Sequence, residues 1–540
     1  MNVNNDTSFK TLGDMFYHCL HRDKIFQYLD DINETTTYSD VLQWSIRTAV
    51  KLKKMGISRK DIVSSCTHNQ KYTPVPFIAT QFLGAICNSF DPNLSHLDTI
   101  HLLKLIEPKI LFVAEESLAF MESCLEKAGV KTEIVVFGPC KKYRQFSEFI
   151  EPSEEENSFQ IEKVQNDSDT AVIFFSSGTT GLPKGICLNH KALIKSSGTV
   201  GVLGNAKDKN TVIMTYTTLY WISAVFSLLR SVRFGYSCVI RVKFDPEYTW
   251  RLIDKYKIST MFLAPYHAID FVKHKPADVD ASSLDSFLVG SCAVPLKLMT
   301  SLFEILPQAK IVQGYGQTEA GSLITMFNVT SPEEYALQLK KPLSCGKMLK
   351  GFQWKIVDTE TEKVLGPNQR GELRVKFDGY LMNGYYKMDS SSAFDSEGYL
   401  KTGDIMYYDD DECFYVVGRI KEIFKYRGWH ILPNLIEDII LSHPAVKEAA
   451  VIGVPHEIDG EHAMAVVVLF DEYDKNCGKE IEEFVNEKVA DSQKLRAGVK
   501  IVDYIPKTTT NKIRRNDLRK MIGAIKNGMS VYINWNDKSV

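Results

Sequence analysis

No two cysteines of this 540-residue chain stand in a C-x-x-C pair; all eleven are scattered singly. The histidines form no cluster at metal-ligand spacing either. The reading therefore expects neither a zinc site nor a disulfide framework, and takes a reducing compartment as the natural setting. A basic surplus is missing as well: the formal net charge is -3, too little positive charge to neutralise a phosphate backbone, which argues against nucleic acid as a partner. The opening MNVNNDTSFKTLGDMFYHC has no basic patch followed by an apolar run, so no secretory signal is read there. Lys538-Ser539-Val540 is not the Ser-Lys-Leu peroxisomal address, and the expectation is a cytoplasmic protein, with the peroxisome second.

One uncharged run, NTVIMTYTTLYWISAVFSLL between Lys209 and Arg230, is about as long as a membrane span. Its four Thr, two Ser and leading β-branched residues predict instead a buried strand running into a helix, so no transmembrane segment is expected.

What is present is an ordinary globular composition, 44% hydrophobic and 24% charged. At roughly 100 to 200 residues per domain the length predicts three or four folding units. Residues 8–165 alternate helix-like stretches (VLQWSIRTAVKLKKMG) with short apolar runs (IVVFG), the pattern of α/β units on a parallel sheet. The stretch 151–170 reads as a surface connection too acidic and broken to pack. Residues 340–418 change to short strands with Gly, Asn and Asp turns, a β-rich subdomain. The last 120 residues or so carry their own helix (LPNLIEDIILSHP), strands (EAAVIGVP, AMAVVVLF) and helix (KEIEEFVNEKVA). The fold class is α/β: a large N-terminal domain of layered α/β subdomains plus the β-rich piece over 1–418, a junction at 419–421, and a small α+β domain over 422–540.

The segment AVIFFSSGTTGLPKGICLNH turns from a buried-strand run into Ser176-Ser177-Gly178-Thr179-Thr180-Gly181, followed by Pro183-Lys184-Gly185. Glycines let a backbone approach an anion, hydroxyls and amide hydrogens donate to phosphate oxygens, and a lysine adds positive charge. The spacing is not that of a Walker motif, which excludes that NTPase class.

The run SSGTTGLPKG resembles the signature of the adenylate-forming superfamily, which includes acyl-CoA synthetases, nonribosomal adenylation domains and beetle luciferases. Four further segments fit the same family in order and spacing. Gln313-Gly314-Tyr315-Gly316-Gln317-Thr318-Glu319 resembles the adenine and metal segment: an aromatic face for adenine, a hydroxyl for the α-phosphate at Thr318, and a carboxylate at Glu319 to hold Mg²⁺, with Ser176 as a second oxygen donor. Thr402-Gly403-Asp404 resembles the ribose segment, with Arg419 adding a second contact. Lys421 stands where the family's hinge stands, and Lys425-Tyr426-Arg427-Gly428-Trp429 where a segment swings in for thioester formation, which makes Lys425, Arg427 and Gly428 the coenzyme A contacts. Pro506-Lys507-Thr508-Thr509-Thr510-Asn511-Lys512 resembles the tail motif whose second lysine acts in adenylation, although Asn511 replaces the usual Gly. The resemblance thus implies Lys512, Thr318 and Lys184 as catalytic residues. The same three, with residues 176–181, 314–317, Asp404 and Arg419, bind ATP and AMP.

The resemblance implies an ATP- and Mg²⁺-dependent ligase that converts a carboxylic acid, a fatty acid by this reading, into its acyl-AMP and then its coenzyme A thioester, with the C-terminal domain rotating about Lys421 between the two half-reactions. The chain is most similar to the insect luciferase-like branch, including its dipteran paralogues. Where beetle luciferases carry His-His-Gly-Phe it reads Tyr220-Trp221-Ile222-Ser223, and at Gly290-Ser291-Cys292-Ala293 it replaces Gly-Gly with bulkier residues. Tyr220, Trp221, Ser223, Ser291 and Cys292 are the candidate acyl-pocket residues. Two alternatives stand: a luciferin-type monooxygenase sharing the adenylation step, and a catalytically weak protein that binds nucleotides or acyl-adenylates.

Overall fold

A computed structural model describes residues 9–164, 166–176, 183–199, 211–292, 294–474, 476–508, 512–523, 525–526 and 529–530. They form two compact units, one of residues up to 176, 183–353 and 376–400, the other of 354–375 and 401 onward.

Among the described residues the first unit holds a nine-stranded and an eight-stranded sheet. In the larger, six parallel strands lie side by side in the order Lys310–Gln317, Ser286–Val289, Thr260–Leu263, Val212–Thr215, Ser237–Ile240 and Ile25–Leu29, with antiparallel strands added at both edges. Ser286–Val289 is buried along its whole length, as a parallel strand covered on both faces should be. Trp250 fills the core beside this sheet: its ring stacks on Phe271 at 3.9 Å, and its indole N–H donates to the Phe271 carbonyl at 2.8 Å. The smaller sheet runs from Gly384–Tyr385 through Gly185–Asn189 and Thr170–Phe175 to parallel strands at Ile86–Phe90, Ile62–Cys66, Ile110–Val113, Glu133–Val136 and Arg144–Gln145.

The helix expected around VLQWSIRTAVKLKKMG spans Tyr38–Lys54. Thr37 and Asp40 close a capping box at its start, Lys51, Lys53 and Lys54 complement its C-terminal dipole, and Val41, Leu42, Ser45, Thr48, Ala49 and Leu52 form the buried stripe. The uncharged run before Arg230 is a strand, Val212–Thr215, followed by a helix, Ile222–Phe234. No helix among the described residues is long and apolar enough to cross a membrane.

The acidic stretch after residue 150 is a surface connection as expected, none of its described residues being buried, but its charges are paired. Glu156 pairs with Arg47, Glu155 with Lys54 and Glu162 with Lys53, while Phe159 packs on Phe82 with ring centroids 5.8 Å apart. Its negative charge lays it along Arg47, Lys53 and Lys54 of helix Tyr38–Lys54.

Asp30 is the electrostatic knot of the large sheet's edge. Its buried carboxylate accepts from Lys255 Nζ at 2.8 Å, Arg241 Nη1 and Tyr256 Oη at 2.9 Å, and Tyr248 Oη at 3.0 Å. Burial alone raises the Asp30 pKa, but the hydrogen bonds from Lys255, Tyr256 and Tyr248 outweigh it and hold the carboxyl below its ordinary value. A carboxyl whose folded pKa is depressed contributes stability that is present above about 3.9, the unfolded value, and is lost as pH falls through the folded value. Asp30→Asn is therefore expected to remove about 2 kcal/mol at neutral pH and progressively less in acid, measured by urea unfolding at several pH values.

The second unit begins with a five-stranded sheet in the order Val364–Leu365, Gln353–Val357, Gly371–Lys376, Leu400–Tyr408 and Phe414–Arg419, the β-rich piece expected from the turn-dense sequence. Beyond it, the helices Pro433–Leu441 and Gly478–Asn486 accompany a long antiparallel pair, Val446–His456 with Gly460–Leu469.

Candidate active site

In open α/β sheets, ligands gather at the carboxyl ends of the strands. Three of the sequence-predicted segments follow such ends in the nine-stranded sheet: Tyr220–Ser223 after Val212–Thr215, Ser291 and Cys292 after Ser286–Val289, and Thr318 and Glu319 after Lys310–Gln317. The last two are neighbours, because Val289 pairs with Gln313 and a Cβ on Gly290 would stand 3.5 Å from the Gly314 carbonyl. Gly314, Tyr315, Gly316 and Gln317 lie within their strand, which shifts register between Tyr315 and Gly316. Gly314 has no room for a side chain without pressing Leu323, 3.0 Å from its would-be Cβ.

The pocket residues differ in exposure. Tyr220 is 4% exposed and joins the core cluster that holds Phe90 and Phe175, with Trp221 packed against it at 4.5 Å. Trp221 and Ser223 are half-buried at the start of helix Ile222–Phe234. Ser291 and Cys292 are exposed, and Ser291 holds φ 89°, a left-handed backbone that favours glycine. Two residues that the sequence reading passed over, Tyr266 and His267, follow the neighbouring strand Thr260–Leu263. Burial lowers the His267 pKa to about 4, so the imidazole is neutral, and its ring stacks on Phe244 at 4.1 Å. A bare Pro-Tyr-His run carries no signal that sequence alone distinguishes from a helix start.

The phosphate-loop residues Ser177, Gly178, Thr179, Thr180 and Gly181 lie outside the described residues, as does Ala293. The base of the loop is closed by two hydrogen bonds: Ser176 N–H donates to the Lys184 carbonyl at 2.9 Å, and Lys184 N–H to Ser176 Oγ at 2.8 Å. Lys184 Nζ then rests 4.7 Å from the centroid of the Tyr385 ring, whose hydroxyl donates to Glu319 Oε1 at 3.5 Å. Tyr385 reaches this place because Gly384–Tyr385 pairs with the strand after the loop, Tyr385 opposite Ile186. Glu319 is fixed from the same segment, its carbonyl accepting the Met382 N–H at 2.8 Å. The structure thus brings Lys184 and Glu319 to one tyrosine about 200 residues from the loop in sequence, far too distant for spacing to reveal, while Ser176 is hydrogen-bonded to the Lys184 backbone. Burial and the Glu319 charge push the Tyr385 phenol up to about 12, so it stays protonated and donates. Ser176 and Glu319 supply the oxygen donors that a hard divalent cation requires.

The remaining predicted residues belong to the second unit. Asp404, 3% exposed, lies opposite Arg419 in the sheet, and Arg419 Nε is 2.6 Å from its Oδ1. Lys421 is exposed in the short turn Ile420–Glu422. Lys425 Nζ lies 3.7 Å from Glu360, Arg427 Nε 2.6 Å from Asp459 Oδ1, and Gly428 holds φ 83° with nothing within 4 Å of a would-be Cβ. Lys512 is half-buried at the base of a hairpin: its N–H donates to Thr508 Oγ1 at 3.1 Å, and its carbonyl accepts from Thr508 N–H at 2.7 Å. Asn511, Thr509 and Thr510 lie outside the described residues.

The family model for AMP-binding enzymes matches residues 20–386, and that for the AMP-binding enzyme C-terminal domain matches residues 435–512. The chain belongs to the AMP-binding enzyme family. Among curated proteins this AMP-binding enzyme is 30% identical to luciferin 4-monooxygenase of Photinus pyralis, over 92% of its own length and 91% of that protein's. It is 32% identical to 4-coumarate–CoA ligase 1 of Petroselinum crispum, over 91% and 90%. Among solved structures it superposes on the luciferase-like enzyme from the nonluminescent Zophobas morio mealworm with a TM-score of 0.73 and 38% identity, covering 78% of this chain and 98% of that one. The AMP-binding enzyme is thus an ATP-dependent, adenylate-forming protein of the acid–CoA ligase and luciferase family, in its luciferase-like branch.

Tyr385 gives the AMP-binding enzyme a testable contact. A hydrogen bond to a charged group contributes about 1.5 to 3 kcal/mol, and at 3.5 Å this one belongs at the low end. Tyr385→Phe is expected to slow ATP–pyrophosphate exchange by about tenfold, and Tyr385→Ala, which also removes the ring beneath Lys184, by more. Equal effects of the two substitutions on the exchange rate would show that the hydroxyl alone matters.

Proposed function

We propose that this enzyme activates an apolar, fatty monocarboxylic acid with ATP, releases pyrophosphate, and passes the acyl group from acyl-AMP to coenzyme A. The observation that carries the acid class is the make-up of the strand-end segments. Residues 216–223, 264–267 and 290–292 contain no Lys or Arg, and His267 is held neutral. The buried carboxylate of Asp91 already accepts from Thr218 Oγ1 at 3.1 Å and from the Asn93 N–H at 2.9 Å. A second carboxylate on the substrate would find no cation there and would lose its hydration uncompensated. Aromatic and aliphatic side chains suit an acyl chain instead.

In the adenylation step the acid's carboxylate attacks the α-phosphate. Lys184 and Lys512 set positive charge against the phosphoryl oxygens, and the Thr318 hydroxyl donates to them, so that catalysis is positioning and charge neutralisation. Glu319 and Ser176 would hold Mg²⁺, which neutralises phosphate charge when bound. Asp404 accepts from the ribose hydroxyls, its carboxylate oriented by Arg419. For the thioester step, the open space at Gly428 and the exposed cations Lys425 and Arg427 suit a pantetheine arm and its phosphates. Trp221, where the beetle enzymes carry histidine, favours the ligase over a light-emitting oxidase.

The test is incubation of purified protein with ATP, Mg²⁺ and a panel of aliphatic, aromatic and dicarboxylic acids, with and without coenzyme A. Mass spectrometry follows pyrophosphate, AMP and acyl-CoA, and a photometer follows light. Acyl-CoA from aliphatic monocarboxylic acids is the expected result. A preference for dicarboxylic acids would overturn the acid class, and pyrophosphate release with light but no thioester would overturn the ligase reading.

A further inference from the structure

Along the sequence no histidines cluster at metal-ligand spacing, yet an aspartate, Asp459, stands between His456 and His462. Folding brings the three together. The antiparallel strands Val446–His456 and Gly460–Leu469 turn back on themselves, placing His456 opposite Gly460 and His462 opposite Val454. Positions 454 and 456 share a face of their strand, so both imidazoles lie on the same side of the hairpin. Their rings stack at 3.9 Å with an interplanar angle of 17°. Asp459, in the turn between them, faces both: its Oδ2 is 2.8 Å from His462 Nε2 and 3.6 Å from His456 Nδ1.

We propose that His456, Asp459 and His462 form a binding site for a divalent transition metal of the zinc, cobalt or copper class, separate from the nucleotide site. Three observations support it. First, one donor atom from each residue lies within 4.8 Å of the other two. Tetrahedral ligands with bonds of about 2.1 Å stand roughly 3.4 Å apart, and the two separations from Asp459 Oδ2 straddle that value, so small side-chain rotations complete the set.

Second, the carboxylate is already oriented. Arg427 Nε donates to Oδ1, the oxygen not facing the histidines, at 2.6 Å, as a group behind a metal-bound carboxylate does. The turn is pinned from the same side: Arg427 N–H donates to the Asp459 carbonyl at 2.8 Å, and a Cβ on Gly460 would meet the Lys425 carbonyl at 2.8 Å. Third, the histidine donors are reachable from solvent, the His456 side chain being 41% exposed and that of His462 17%. Among the described residues, the hydrogen bonds that His456 Nδ1 accepts come from the backbone N–H groups of Asp459 and Ile458, at 3.2 and 3.4 Å, long contacts that a cation would displace.

Two imidazoles and one carboxylate select zinc, copper, nickel or cobalt over magnesium or calcium, which require oxygen ligands. Three protein ligands leave coordination positions open to solvent. A bound cation would tie the hairpin's two strands together beside the 425–428 segment.

The test uses the untagged full-length chain and needs no activity. Cu²⁺ is titrated with detection by electron paramagnetic resonance, and Co²⁺ by visible absorption with Zn²⁺ as competitor. The expected result is saturation at one equivalent, a copper spectrum split by two imidazole nitrogens, and displacement of cobalt by zinc. His456→Asn and His462→Gln should each reduce the splitting to one nitrogen and weaken binding at least about tenfold. Should either variant fail to fold, the nitrogen count in the wild type decides alone. Absence of saturable one-equivalent binding, or a copper spectrum without two nitrogens, overturns the site, as do folded variants that bind like the wild type.

Discussion

Lys512→Ala will form acyl-adenylate about 10² to 10³ times more slowly than the wild type, the loss found when one preorganised donor to a developing anion is removed. The size of the effect rests on charge, and its interpretation on local structure. The hairpin that carries Lys512 is closed by backbone and hydroxyl contacts with Thr508 and by the pairing of Lys507 with Ile513. Lys507 is anchored separately, its Nζ 2.8 Å from Glu448. These contacts are made by backbone and hydroxyl groups, and they survive truncation of the Lys512 side chain. Thioester formation from synthetic acyl-AMP and coenzyme A should stay within about threefold of wild type. The measurement is ATP–pyrophosphate exchange beside single-turnover conversion of the acyl-AMP. A loss shared equally by both half-reactions would mean a structural role.

Arg515→Leu will destabilise the second unit by about 3 to 5 kcal/mol, the range for breaking a buried ion pair by removing one partner. Arg515 is 6% exposed and Glu437 8%. The guanidinium meets the carboxylate in bidentate fashion, Nη1 to Oε1 at 2.6 Å and Nη2 to Oε2 at 3.2 Å, while Nη1 also donates to the Val451 carbonyl at 2.9 Å and Nε lies 3.4 Å from Glu422. Burial alone lowers the arginine pKa, but Glu437 and Glu422 outweigh it and hold the group above its ordinary value. Leucine in its place leaves the Glu437 charge buried, with the Val451 N–H at 2.6 Å as its remaining hydrogen bond among the described residues. Pairing Arg515→Leu with Glu437→Leu should recover much of the loss, because the cost lies in the orphaned charge. Denaturant unfolding of the single and double variants measures both. The same guanidinium joins the turn that carries Lys421 to the helix that follows Lys512, so the single variant should also slow both half-reactions.

The candidate site was legible in segments and illegible in its connections. SSGTTGLPKG, QGYGQTE and the TGD run announce phosphate, base and ribose chemistry because few other functions ask for those residue types in that order. Tyr385 announces nothing: one of 24 tyrosines, it gains a role because its short strand pairs beside Lys184. The ion pairs of the acidic stretch near Glu155 were hidden for a related reason. Read alone it repels itself; against Arg47, Lys53 and Lys54 it is attracted. His456, Asp459 and His462 were missed because a hairpin turn, not a helix or a zinc-finger spacing, brings them together.

The sequence by itself determined the α/β class, the β-rich segment, the strand-to-helix nature of the uncharged run, and the adenylate-forming chemistry. Those are properties of periodicity and of short contiguous motifs, whose physics is local. Only the tertiary structure decided that Lys184 and Glu319 share a tyrosine, that Asp404 is held by Arg419, that Tyr220 is buried in the core, and that two histidines and an aspartate converge. Each of these depends on which strands become neighbours and in what register, and that is set by the collective burial of side chains far apart along the chain.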